Sequence, residues 1–434
     1  MDAAAIKNHI AILEDELVRA LGCTEPIAIA YASALARGAL GVDPAELCVF
    51  CSGNIIKNVK SVTVPNSGGM RGIEAAAILG AVGGDAGRAL EVLEAVEPAD
   101  IDRTRELLAA GICDVELVED APNLYVRVVA RADGHEAVAA IADRHTNVRE
   151  LSLDGADVEV AGVRQNAGCD VEGTPSEVPD RDALSLESIW EFAHEVDVLL
   201  IYGVIGRQLA DNETIACEGL EGEWGAKIGK TLLATRPNDI SCRARALAAA
   251  GSDARMSGCA LPVVICCGSG NQGITCSMPV LAYAHELKAS SEDLVRAVAL
   301  SDLTAVHVKR YIGELSAFCG AVSAACGAGG GICMLRGGTF EQYSATIINT
   351  LANVGGIVCD GAKPSCAAKI SAAVDAAELA CDMALADDAF RPGEGLVGAN
   401  AEETIRSMGY VGRVGMHPTD VEILNIMIGK TDCA

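Results

Sequence analysis

Two stretches without a charged residue, 256–284 and 315–335, limit this chain's folding options more than any other feature. Each is long enough to cross a bilayer as a helix. Each is also broken by Gly, Ser, Asn or Pro, as in CCGSGNQGITCSMP and CGAVSAACGAGGGIC. In lipid such irregular backbone leaves peptide groups without partners. The membrane is therefore rejected, and both stretches are expected to lie buried and to line a cavity.

The core around them must be built from small side chains, because half of the residues are hydrophobic and only 3% are aromatic. That favours closely packed helices over a sandwich filled by rings. A length of 434 residues allows two or three domains, or one large domain with an insert. The formal charge of −27 repels phosphate backbones and anionic lipid, so nucleic acid and membrane surfaces are excluded as partners. The opening MDAAAIKNHIAILEDEL reads as a polar amphipathic helix, not an export signal. Eighteen cysteines without such a signal point to a reducing, cytoplasmic setting, with thiols free or bound to metal.

Along the chain, residues 1–110 read as helices joined by glycine-rich turns. Ser52-Gly53-Asn54 forms one turn, and Asn66-Ser67-Gly68-Gly69 leads into an apolar helix from about Ile73. Such loops can offer backbone N–H groups to an anion. Residues 111–165 read as a small α+β module. DVELVEDAP and LYVRVVARAD are its strands, HEAVAAIADRHT is helical, and VRELSLDGADVEVAG returns to strand character. A linker follows at 172–182. Residues 183–434 are almost all helix, with capping boxes at Ser290-x-x-Asp293 and Thr339-x-x-Gln342. The expected fold class is mainly α with a small α+β module.

The chemistry concentrates in GGIVCDGAKPSC, residues 355–366. A helix stops at Gly355-Gly356, Asp360-Gly361 turns the chain, and Ser365 caps the next helix. Cys366 then sits at a helix N-terminus, where the dipole and free N–H groups favour thiolate, with Lys363 and Lys369 nearby. Cys359 lies in the loop before it. A third soft ligand has to come from elsewhere, and Cys319, Cys326 and Cys333 offer themselves on one helical face. Each of these reads equally as a small core hydrophobe. No histidine lies beside them, and neither zinc Cys/His nor ferredoxin spacing is present. Three thiolates without a fourth suggest an iron–sulfur cluster with one open iron.

Five stretches carry a resemblance over nearly the whole chain: LGCTEPIAIAYA (21–32), SGNIIKNV (52–59), GSGNQGI (268–274), YIGELSAFCGAVSAACGAGGGI (311–332) and VCDGAKPSC (358–366). The sequence resembles the iron–sulfur-dependent L-cysteine desulfidase family, related to the α chain of iron–sulfur L-serine dehydratases. The resemblance implies a helical, dehydratase-α-like domain around a [4Fe–4S] cluster. It implies Cys319, Cys359 and Cys366 as the three ligands, Cys326 as a packing residue, Cys23 as a further important thiol, and no pyridoxal phosphate. The implied reaction is β-elimination of L-cysteine to pyruvate, ammonia and hydrogen sulfide, with the substrate thiolate on the open iron.

Cys23 is then either the base for the Cα proton or a cap on the resting iron, and Glu25 is a second base candidate. For the substrate carboxylate the candidates are Ser52, Gly53, Asn54, Asn66, Ser67, Gly68 and Gly69, with Gly270 and Asn271 behind them. Lys57 is expected to be exposed, and His285 and His307 to face solvent or satisfied core positions. The rival readings are an L-serine dehydratase, a non-enzymatic redox or sensor cluster protein, and a metal-free small-molecule binder. A homo-oligomer is left open.

Overall fold

The computed structural model describes residues 1–159, 179–313 and 315–431, and the chain is mainly helical with one small mixed sheet. Most of the expected linker at 172–182, and the end of the stretch 148–162, lie outside the described residues.

In the first part, α1 (Ala3–Glu16) leads through β1 (Arg19–Leu21) into α2 (Thr24–Leu40). Then follow β2 (Glu46–Cys51), α3 (Gly53–Val59), α4 (Ile73–Gly83) and α5 (Pro98–Ala110). Helix α2 is apolar along most of its length because it is covered there: residues 26–36 are buried, with the sheet and α4 packed against the helix. The fit depends on missing side chains, since a Cβ on Gly80 would lie 2.3 Å from the Ala30 carbonyl oxygen.

The sheet continues with β3 (Cys113–Leu117), β4 (Tyr125–Ala132), β5 (His135–Ala142), β6 (Val148–Leu153) and β7 (Ala156–Asp157). Its order is β3-β2-β4-β5-β6-β7, with β2 and β3 parallel and the other pairs antiparallel. Residues 135–142 are thus a strand and not the expected helix. The alanines there have high helix propensity, but β4 and β6 take up hydrogen bonds on both edges and α2 covers Ala139 and Ile141. Tertiary pairing overrides local preference in this segment. Strand β2 comes from within the first 110 residues, so the sheet draws on both sides of residue 110.

Helices dominate from residue 186 onward: α6 (Leu186–Glu195), α7 (Val198–Glu221), α8 (Ile228–Thr235) and α9 (Ile240–Met256). After the short β8 (Pro262–Val264) come α10 (Gly270–Leu287), α11 (Ser291–Ile312), α12 (Gly320–Leu335) and α13 (Phe340–Val354). The last are α14 (Cys366–Leu385), α15 (Ala401–Tyr410) and α16 (His417–Met427). Both expected capping boxes form, at the starts of α11 and α13. The two uncharged stretches become α10, α12 and the segments leading into them, and both helices are buried along most of their length. Among the described residues no helix is long and apolar enough to cross a membrane.

Two short pairings position the site. β1 runs antiparallel to β8, so the chain entering the turn at 265–269 passes the start of β1, where the Ile265 amide donates to Val18 O at 2.9 Å. An isolated bridge joins Phe318 to Val358, which sets the start of α12 beside the loop that follows α13.

Candidate active site

Cys23 is the N-cap of α2, Cys319 the N-cap of α12, and Cys366 the first residue of α14. All three helix ends open onto one cavity of about 110 Å³, which Cys359 also lines. The four cysteines singled out in the sequence, from three distant segments, therefore face one space.

Local backbone explains the convergence. The Cys319 amide donates to Ile357 O at 2.9 Å and the Cys359 amide to Ala317 O at 2.6 Å. Their side chains emerge next to each other, and a hydrogen bond from the Cys319 thiol holds Cys359 toward thiolate against the cost of burial. The positive charges of Lys57 and Lys309 act in the same direction. Burial pushes the Cys366 thiol up. The Asp360-Gly361 turn needs its glycine: Gly361 has φ +94°, and a Cβ there would lie 2.3 Å from Lys57 O.

In the same lining, the Cys23 thiol donates to Glu25 Oε2 at 3.1 Å, and Asn58 Nδ2 donates to Glu25 Oε1 at 3.0 Å. Glu25 is desolvated, yet His145, the Cys23 thiol and Arg255 together hold its carboxyl below the usual range. Burial and the charge of Glu25 push Cys23 well up. A neutral thiol donating to a carboxylate is the resulting arrangement. Thr24 Oγ1 reaches Gly268 O at 3.0 Å and ties the start of α2 to the 265–269 turn.

Five residues of the lining carry a buried polar atom with no hydrogen-bond partner: Asn58 Oδ1, His145 Nε2, Arg255 Nη2, Asn271 Oδ1 and Gln272 Oε1. Native interiors satisfy nearly all such groups, so their concentration in one cavity marks a place for a polar solute. Arg255 is only 2% exposed, and its Nε is fixed on Gly22 O at 2.9 Å. A larger cavity of about 380 Å³ adjoins this one and shares His145, Cys267, Gly268 and Lys309 with it.

The profile of the serine dehydratase alpha chain family matches residues 87–425, well over half of the chain. The chain belongs to this family. Among its relatives, a UPF0597 protein of Lachnoclostridium phytofermentans is 47% identical over 422 residues, covering 97% of this chain and 99% of its own length. A UPF0597 protein of Desulfitobacterium hafniense is 45% identical, covering 98% and 97%. One from Finegoldia magna is 45% identical, covering 98% and 100%.

The serine dehydratase alpha family is iron–sulfur dependent and of lyase type. The donor set here fits an iron–sulfur group by its chemistry: three thiols on one cavity, with the cations Lys57 and Lys309 also in the lining to balance thiolate charge. Cys326 and Cys333 lie inside α12 in the core, away from the cavity.

Several loops expected to meet a carboxylate are used otherwise. Ser52 Oγ donates to Asn123 O, and Gly53 packs against Leu424. Asn66 Nδ2 donates to Leu93 O, and Ser67 Oγ donates back to Val64 O in its own loop. With Asn54, Gly68 and Gly69, none of these residues lines the cavity. Gly270 starts α10 just outside the lining, and Asn271 lies in it.

Lys57 was expected at the surface. It is 3% exposed, lines the cavity and pairs with Asp420 of α16, whose other oxygen accepts from the Ala317 amide at 2.8 Å. His285 is exposed, and His307 is buried with Nε2 on Glu402. Arg255, His145, Gln272 and Lys309 escaped the sequence reading. Arg255 could have been noticed as the last charge before an uncharged stretch. His145 gave no such signal, since it lies within residues read as helix.

Proposed function

We propose that this chain is an L-cysteine desulfidase, which removes sulfide from L-cysteine by β-elimination without pyridoxal phosphate. The observation that carries the reading is the meeting, in the lining of one cavity, of three thiols with the Cys23–Glu25 couple and the unpartnered Arg255 Nη2.

Cys319, Cys359 and Cys366 would hold a [4Fe–4S] cluster. When bound, the cluster supplies an iron that three protein thiolates leave open, a soft Lewis acid suited to the sulfur of the substrate. Arg255 is the anchor for the substrate carboxylate, with its guanidinium already fixed on Gly22 O. Asn271 and Gln272 offer carbonyl oxygens to the substrate ammonium. Glu25, ionised and held in place by the Cys23 thiol on its Oε2, takes the Cα proton. The electron pair released forms the Cα–Cβ double bond as the Cβ–S bond breaks and sulfide leaves. Aminoacrylate then tautomerises, and water converts it to pyruvate and ammonia. The free thiols of the chain support a reducing, cytoplasmic setting.

Anaerobic turnover with L-cysteine and L-serine in parallel tests the reading. Sulfide and pyruvate released in equal amounts from L-cysteine, at a kcat/KM well above that for L-serine, are expected. Pyruvate from L-serine alone would make the chain a serine dehydratase, the runner-up that the family profile favours.

A further inference from the structure

Behind the cavity wall lies a second group of soft ligands that the proposed reaction does not use. Cys266 follows β8, Cys276 is on α10 and Asp302 is on α11. All three side chains are fully buried, and their ligand atoms lie within 4.8 Å of one another. We propose that Cys266, Cys276 and Asp302 form a second, structural metal site for a divalent ion of the zinc class.

The carboxylate carries the argument. Asp302 Oδ1 accepts from Gln208 Nε2 at 2.9 Å, which fixes the plane of the group, while Oδ2 is buried without a hydrogen-bond partner. A metal-ligating carboxylate is typically oriented in this way by an outer hydrogen bond that leaves one oxygen for the ion. Two thiols and one carboxylate are donors that zinc accepts, in sites closed to water. A further sulfur is near: Cys267 Sγ lies 3.7 Å from Cys266 Sγ.

The backbone is built to bring these groups together. A Cβ on Gly273 would lie 2.1 Å from Val264 O, so glycine lets α10 lie directly on the end of β8. Asn212 on α7 braces the same strand, donating to Val264 O at 3.2 Å and accepting from its amide at 2.9 Å. Cys266 and Ser269 close a tight turn by exchanging two backbone hydrogen bonds, with Cys267 in the left-handed region at φ +50°. This turn carries Cys267, Gly268 and Ser269 into the active-site lining. An ion on Cys266, Cys276 and Asp302 would pin the turn to α10 and α11. Its binding releases the two thiol protons to solvent.

The test is metal analysis of the full chain, purified anaerobically from zinc-supplemented cells, with iron and zinc measured together. About one zinc per chain is expected in addition to iron. Cys359→Ser should lower the iron and leave the zinc, whereas Asp302→Asn, which still accepts from Gln208, should lose the zinc and leave the iron. Absence of stoichiometric zinc from the unsubstituted chain overturns the proposal, as does zinc retained in both Asp302→Asn and Cys276→Ser. Should those variants not fold, cobalt(II) added during expression of Cys359→Ser decides. Tetrahedral bands with thiolate charge transfer support the site, and their absence overturns it.

Discussion

The Cys23 thiol and the Glu25 carboxylate meet at 3.1 Å at the start of α2, Cys23 buried and Glu25 half-buried, and both line the cavity that holds Cys319, Cys359 and Cys366. A donor and an acceptor so placed can move a proton without rearranging the backbone. Glu25→Gln keeps the shape and removes the acceptor. It should lower kcat by about 10²-fold or more with iron content unchanged. Cys23→Ala should do the same, and loss of iron in that variant would instead make Cys23 a ligand.

Arg255 should govern affinity. Its Nε bond to Gly22 O is structural, while Nη2 is left for a ligand. Arg255→Lys retains charge but loses the planar fork. A rise in KM with a roughly tenfold to hundredfold fall in kcat/KM is expected, about what one hydrogen bond to a charged group provides. An unchanged KM for L-cysteine in a folded variant would remove Arg255 from the substrate site.

The cysteines should separate into two classes by iron analysis. Cys359→Ser removes a thiol from the cavity and should strip the iron. Cys326→Ala alters a fully buried residue in the interior of α12, so iron and turnover should persist. Its cost should be one of stability, about 1 kcal/mol by urea denaturation.

Glu378 sets a pH dependence of stability. Burial raises its carboxyl from 4.5 to about 8, against the opposing pull of Ser241 and Arg245. Between those two values the native chain holds a proton that the unfolded chain releases. The contribution of this group is therefore complete below about pH 4.5 and is lost as pH rises toward 8. Glu378→Gln should flatten that decline, with a higher Tm than the parent at pH 8 and little difference at pH 4.5. Melting across this window checks the sign.

Gly80→Ala tests the packing of α4 on α2. The new methyl would meet backbone at Ala30, which cannot move aside as a side chain can. A loss of about 1–3 kcal/mol is expected, read as a lower urea midpoint.

Much of this site was legible in the residues themselves. Composition called for close helix packing, the Asp360-Gly361 turn and the N-terminal position of Cys366 followed from local chemistry, and both capping boxes form where their residues stand. These are short-range properties, fixed within one turn of chain. The strand at 135–142, the buried Lys57–Asp420 pair and the approach of Arg255 and His145 to Cys23 were decided only in three dimensions. Each depends on partners far away in sequence: a helix-forming alanine run becomes a strand once neighbours satisfy its backbone, and a lysine can be buried once an aspartate some 360 residues away meets it.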